Sequence, residues 1–102
     1  FFLIQSDMIK RLVKMTFKPT SVELFKAVFA SKKELIGSFP GCKGVELLQS
    51  TADKRIFFTS SVWEREEDLE HYRVSPLFTE TWATVKPHFD DKPEAWTVTL
   101  VD

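Results

Sequence analysis

Asparagine is absent from this chain, and among its 102 residues there are one cysteine, two histidines and three glycines. Each scarcity closes a class of chemistry. A lone cysteine, Cys42, cannot form an intrachain disulfide, so no oxidising compartment is required and a cytoplasmic location is expected. Two histidines and one cysteine at distant positions match no metal-ligand spacing, and no metal is expected. Gly37, Gly41 and Gly44 are too sparse to build a phosphate-cradling loop. No apolar run approaches the ~20 residues of a membrane span, so no membrane partner is expected. Basic and acidic residues balance, 14 against 15, with no basic patch, which argues against nucleic acid as a partner. Runs such as Lys32-Lys33 and Glu66-Glu67-Asp68 read as solvated helix faces.

What is present is a large apolar load, with ten Phe and three Trp in a chain of one-domain length. Phe1-Phe2-Leu3-Ile4 is apolar but too short for a signal-peptide core and has no basic flank. Residues 1–7 are set apart as an N-terminal extension or an added remnant, and residues 8–102 as a single domain. Ile9 to Phe17 reads as a strand stopped by Pro19. Thr20 followed by Glu23 predicts a capping box, and the apolar stripe Val22, Phe25, Phe29, Ile36 a helix ending near Gly37. Pro40-Gly41 marks a turn. Cys42–Ser50 and Arg55–Trp63 read as strands joined by a hairpin. Glu66 to Arg73 predicts a short helix with Leu69 and Tyr72 inward. Ser75-Pro76 opens another, lined by Phe78, Trp82, Val85 and Phe89 and bent or ended by Pro87. Ala95 to Val101 closes the chain as a strand, with Trp96, Val98 and Leu100 on one side.

That order is the βαββαβ, ferredoxin-like pattern of an α+β fold: helices on one face of a four-stranded antiparallel sheet. On the third strand Ile56, Phe58 and Val62 point one way while Phe57 and Trp63 point the other. A sheet with two apolar faces wants two covers, and one chain supplies one. A homodimer packed sheet to sheet as a dimeric α+β barrel is the expectation; a monomer with a strongly curled sheet is the alternative.

With these elements in order, the chain resembles the antibiotic biosynthesis monooxygenase family from about Met8 to Leu100. Pro40-Gly41-Cys42, Trp63-Glu64 and Ser75-Pro76-Leu77-Phe78 carry the resemblance. It implies oxygenation of a small electron-rich aromatic, quinol or polyphenol-like, by a homodimer without metal, flavin or other cofactor. A heme-degrading branch relies on an Asn of the first strand, a Trp and a His. This chain lacks Asn, and the Ser75-Pro76 register puts the His position on Tyr72. His71, one residue early, points about 100° away on a helix.

Trp63 offers an indole N–H to a phenolate or an oxygen intermediate, or is a core aromatic. Tyr72 offers a hydroxyl to a substrate phenol, or is structural. His71 is the one mid-chain base that titrates near neutral pH, although its charged neighbours suggest a solvent-facing position. Arg73 can pair with an anionic substrate oxygen or with Glu66, Glu67 or Glu70. Phe25, Phe29, Phe78 and Trp82 line a substrate pocket or fill the core. Cys42 reads as a packed thiol, and His88 as exposed. The resulting expectation is a cofactor-independent monooxygenase with Trp63, Tyr72 and His71 catalytic. The alternatives are a non-catalytic small-ligand-binding dimer and, behind it, a heme-binding protein.

Overall fold

The computed structural model describes residues 8–101; the segment 1–7, set apart above, lies outside the described residues. Strand β1 (Ile9–Thr16) leads to helix α1 (Val22–Gly37), the hairpin β2 (Cys42–Gln49) and β3 (Ile56–Trp63), helices α2 (Glu66–Arg73) and α3 (Pro76–Val85), and strand β4 (Glu94–Val98). The strands form one four-stranded sheet in the order β2-β3-β1-β4, every pair antiparallel. This is the expected ferredoxin-like α+β arrangement, with the second helical segment split in two.

Alternation along the strands decides the core. Val13 and Met15 of β1 lie opposite Thr59 and Phe57 of β3, on the face turned to the helices. Met15, Phe17, Phe25, Phe29, Phe57 and Val85 form the buried cluster there. Phe17 is its hub, stacked on Phe25 at 4.1 Å and edge-on to Phe57 at 5.9 Å. Burial of rings this size stabilises by about 1.5–3 kcal/mol each, and the aromatic geometry adds to that.

The opposite face is covered by no helix among the described residues. It carries Leu12 opposite Trp96, and Phe58 opposite Leu48, with Lys10, Lys14, Glu46 and Glu94 among them. Trp96 and Leu48 remain 44% and 48% exposed. All of β4 is exposed, as befits an edge strand that pairs only with β1.

Three local expectations are corrected. The capping box at Thr20 and Glu23 does not form: Pro19 leads into a 3-10 turn over Pro19–Ser21, and the N-cap, Ser21, makes no side-chain cap bond. The Ser21 hydroxyl instead meets His88 Nδ1 at 2.9 Å, which takes His88 out of the exposed position expected for it. The closing strand stops at Val98 rather than Val101, because Val98 pairs with Lys10 and β1 has a single residue, Ile9, beyond it. Leu100 is therefore off the sheet and 87% exposed.

Candidate functional site

Between the helices and the sheet lies a cavity of about 100 Å³ with a mostly apolar wall. There β1, α1, α2 and α3 meet β2 and β3, the first four for reasons visible in the chain. Val13 and Met15 arrive from β1, and Phe25, Phe29 and Ile36 from the apolar stripe of α1. Ser75 joins the other two elements: its hydroxyl donates to the Tyr72 carbonyl at 2.6 Å and accepts from the Phe78 amide at 3.2 Å. That one residue ends α2 and caps α3, bringing the Tyr72 and Phe78 rings to 5.2 Å. Phe78 stacks on Trp82 at 5.8 Å and 9°, one helical turn along.

Tyr72, Arg73, Phe25, Phe29, Phe78 and Trp82, all expected at a pocket, line this cavity. Trp63 and His71 do not. Trp63 is fully buried beneath Tyr72, ring centroids 5.0 Å apart, and its Nε1 donates to Ser61 Oγ at 2.9 Å. Its N–H is thus engaged two residues back on the same face of β3, and Ser61, not Trp63, reaches the cavity wall. His71 is exposed and borders a separate surface groove with Glu66, Glu67 and Glu70. The helical offset of one residue from Tyr72 puts it there.

The chemistry of the wall is set by burial. The pKa of the Tyr72 hydroxyl is pushed up to about 12 by burial, with the nearby Cys42 thiol adding to the shift. It is a protonated donor at neutral pH, with no hydrogen-bond partner among the described residues. Burial also raises the Cys42 thiol, which is a packed group rather than a nucleophile. Four polar groups of the wall are absent from the sequence reading: Arg11, Thr59, Ser61 and Thr81. Arg11, Thr59 and Ser61 had a signal, since each sits at the core-facing parity of a strand. Thr81 follows Phe78 by three residues, within the apolar stripe of α3.

Among the described residues no helix is long and apolar enough to cross a membrane, and no group of three His, Cys, Asp or Glu gathers as a metal site. Neither His71 nor His88 lines the cavity, and a space of about 100 Å³ does not admit a porphyrin.

Residues 8–84 match the family described as antibiotic biosynthesis monooxygenase. No curated protein matches the sequence. Among solved structures, a Nitrosomonas europaea protein assigned to the antibiotic biosynthesis monooxygenases superposes with a TM-score of 0.88 at 18% identity, over 97% of this chain and 95% of that one. A conserved protein of Methanosarcina mazei Go1 gives 0.83 at 22% identity, over 88% and 89%. A point mutant of SnoaB, a cofactor-independent oxygenase of Streptomyces nogalater, gives 0.84 at 16% identity, over 95% and 96%. At such identities the likeness is one of fold.

Proposed function

The chain belongs to the antibiotic biosynthesis monooxygenase family, and from that premise we propose that it oxygenates a small electron-rich phenol or quinol, using the substrate's own ring as reductant. One observation carries the reading: Tyr72, protonated and with no hydrogen-bond partner for its hydroxyl among the described residues, lines a cavity otherwise built mostly of Phe, Trp and aliphatic side chains.

The scheme asks the protein for desolvation, position and a donor. A phenol in the cavity gives its proton to water at the opening. The phenolate passes one electron to dioxygen, and the two radicals combine to a C–O bond as a peroxide. Cleavage of the O–O bond with loss of the ring hydrogen turns that C–H into C=O. The second oxygen atom leaves as water with two substrate hydrogens, so the balance closes without a cofactor. Tyr72 donates to the oxyanion as charge develops, and Trp63, through Ser61, holds the floor beneath it.

The cavity bears on size. A cavity of about 150 Å³ holds benzene, so about 100 Å³ suits a single ring with modest side-chain movement and asks more of a fused-ring substrate. The reading includes a homodimer that covers Leu12, Leu48, Phe58 and Trp96 on the outer sheet face.

Oxygen uptake with a panel of monocyclic quinols tests it. The expected result is consumption of one dioxygen per substrate and one labelled atom from ¹⁸O₂ in the product. Uptake at the no-enzyme rate across the panel overturns it. A second reading, a non-catalytic ligand-binding module, is favoured by the engagement of the Trp63 N–H with Ser61. It predicts ligand binding with no uptake.

A further inference from the structure

Arg11 occupies a place on β1 whose neighbours on the same face, Val13 and Met15, pack into the core. Its side chain lines the cavity with that of Arg73. Arg73 is paired, Nη1 to Glu70 Oε2 at 3.0 Å. Arg11 forms no ion pair among the described residues; its Nη1 donates to the neutral Thr97 hydroxyl at 2.8 Å. Burial and the Arg73 charge both pull the Arg11 pKa down, while Glu70 pulls it up. Two cations thus meet at the cavity wall beside one anion.

A half-buried cation whose partner is a neutral hydroxyl is under-compensated. A carboxylate would relieve it, because the planar guanidinium presents parallel donors at carboxylate spacing. The same cavity has a second unmet polar group. On α3 the Thr79 and Thr84 hydroxyls bond to the carbonyls of Pro76 and Glu80. Thr81 Oγ1 is buried in the cavity wall with no partner among the described residues.

We infer that the natural ligand of this cavity is a hydroxylated aromatic carboxylate, its acid group held by Arg11 and Arg73 and its ring hydroxyl the phenol of the proposed reaction. This rests on the cavity being the ligand site proposed above, and not on turnover there. The ring lies against Phe25, Phe29 and Trp82, and the acid decides which end enters.

Calorimetric titration under nitrogen, comparing 2,5-dihydroxybenzoate with hydroquinone, tests it apart from oxygen chemistry. The carboxylate should bind about tenfold tighter, the worth of one charge-assisted contact. The advantage should shrink as salt rises. Arg11→Met should cut the ratio to about threefold or less, and Arg73→Met is the second variant if circular dichroism shows the first unfolded. Equal binding of the two ligands, or an advantage that survives both variants, overturns the inference. A carboxylate preference without oxygen uptake keeps it and sinks the monooxygenase reading. Uptake with hydroquinone and no preference does the reverse.

Discussion

Trp63 and Ser61 sit two residues apart on one face of β3, and the indole Nε1 of the first donates to the hydroxyl of the second at 2.9 Å. Both are buried, at 0% and 8% exposure, so no solvent replaces the bond if either partner is lost. Ser61 also reaches the cavity wall. The N–H of a residue read as a candidate donor to substrate is therefore engaged within the sheet, and its small neighbour is the one that lines the cavity.

Ser61→Ala leaves a buried N–H unpaired and should cost about 1–3 kcal/mol in urea unfolding. Trp63→Phe removes the donor itself, so in the double variant the serine change costs less. A double-mutant cycle should return a coupling of about 1 kcal/mol. Additive losses would mean that the bond contributes nothing.

Tyr72 is the sole tyrosine, which makes its titration readable by absorbance. Its folded-state pKa is raised to about 12, against about 10 for an unfolded chain. A raised value favours the protonated folded state. The stability it contributes is whole below pH ~10 and is lost as pH climbs from there toward 12. Wild type should lose about 2 kcal/mol over that window, and Tyr72→Phe should show little of this slope. Under the proposed function the same variant lowers kcat by about 10²-fold, as loss of an oxyanion donor does.

His71 gives a contrary expectation. It lies on the exposed side of α2 beside Glu66, Glu67 and Glu70, away from the cavity that Tyr72 lines. His71→Ala should leave oxygen uptake within about twofold of wild type, the loss of a working general base costing about 10² or more. A fall of about a hundredfold would restore it as the base.

How far the chain could be read follows from which contacts are local. Ser75 caps α3 as expected because its partners, Tyr72 and Phe78, lie three residues either side. The helix ends near Pro87 for an equally local reason. The capping box of Thr20 and Glu23 does not form because a 3-10 turn over Pro19–Ser21 moves the N-cap to Ser21, whose hydroxyl meets His88, 67 residues away, a pairing no window along the chain reveals. At the site, helical spacing delivered Phe25, Phe29, Phe78 and Trp82, since one apolar stripe serves core and cavity alike. Strand parity puts Trp63 on the core-facing side of β3 without saying whether its side chain meets the cavity or a neighbour. Arg11 is legible in principle, as a charge at the core parity of β1.

The outer sheet face makes a prediction about assembly. Trp96 is 44% exposed on an edge strand, opposite Leu12, and contributes nothing to the helix-side core. If two copies cover this face, light scattering should give roughly twice the 11.8 kDa chain mass, and Trp96→Asp should return the protein to one chain with its circular dichroism intact. A wild-type protein that stays at one chain mass at micromolar concentration removes the homodimer from the reading.

Gly41 offers the sharpest test of how the turn supports the site. Its φ is +87°, a conformation costly to any residue with a Cβ. A Cβ there would also overlap the Cβ and carboxylate of Asp68, in the first turn of α2, whose Oδ2 is buried with no hydrogen-bond partner among the described residues. The Gly41 carbonyl accepts from the Glu64 amide at 2.8 Å, tying the start of β2 to the residue after Trp63. Gly41→Ala therefore carries two separable penalties, about 1–2 kcal/mol for the backbone and a further steric cost from the helix. Adding Asp68→Gly, which removes the Cβ as well as the carboxylate, should recover the steric part and leave the backbone part, less the ~1 kcal/mol that a glycine costs in a helix. Because α2 also carries Tyr72 and Arg73, the single variant should weaken ligand binding while the double variant regains it. Equal losses in stability and binding from the single and double variants would show that Asp68 does not press on the turn and that the two sides of α2 are uncoupled.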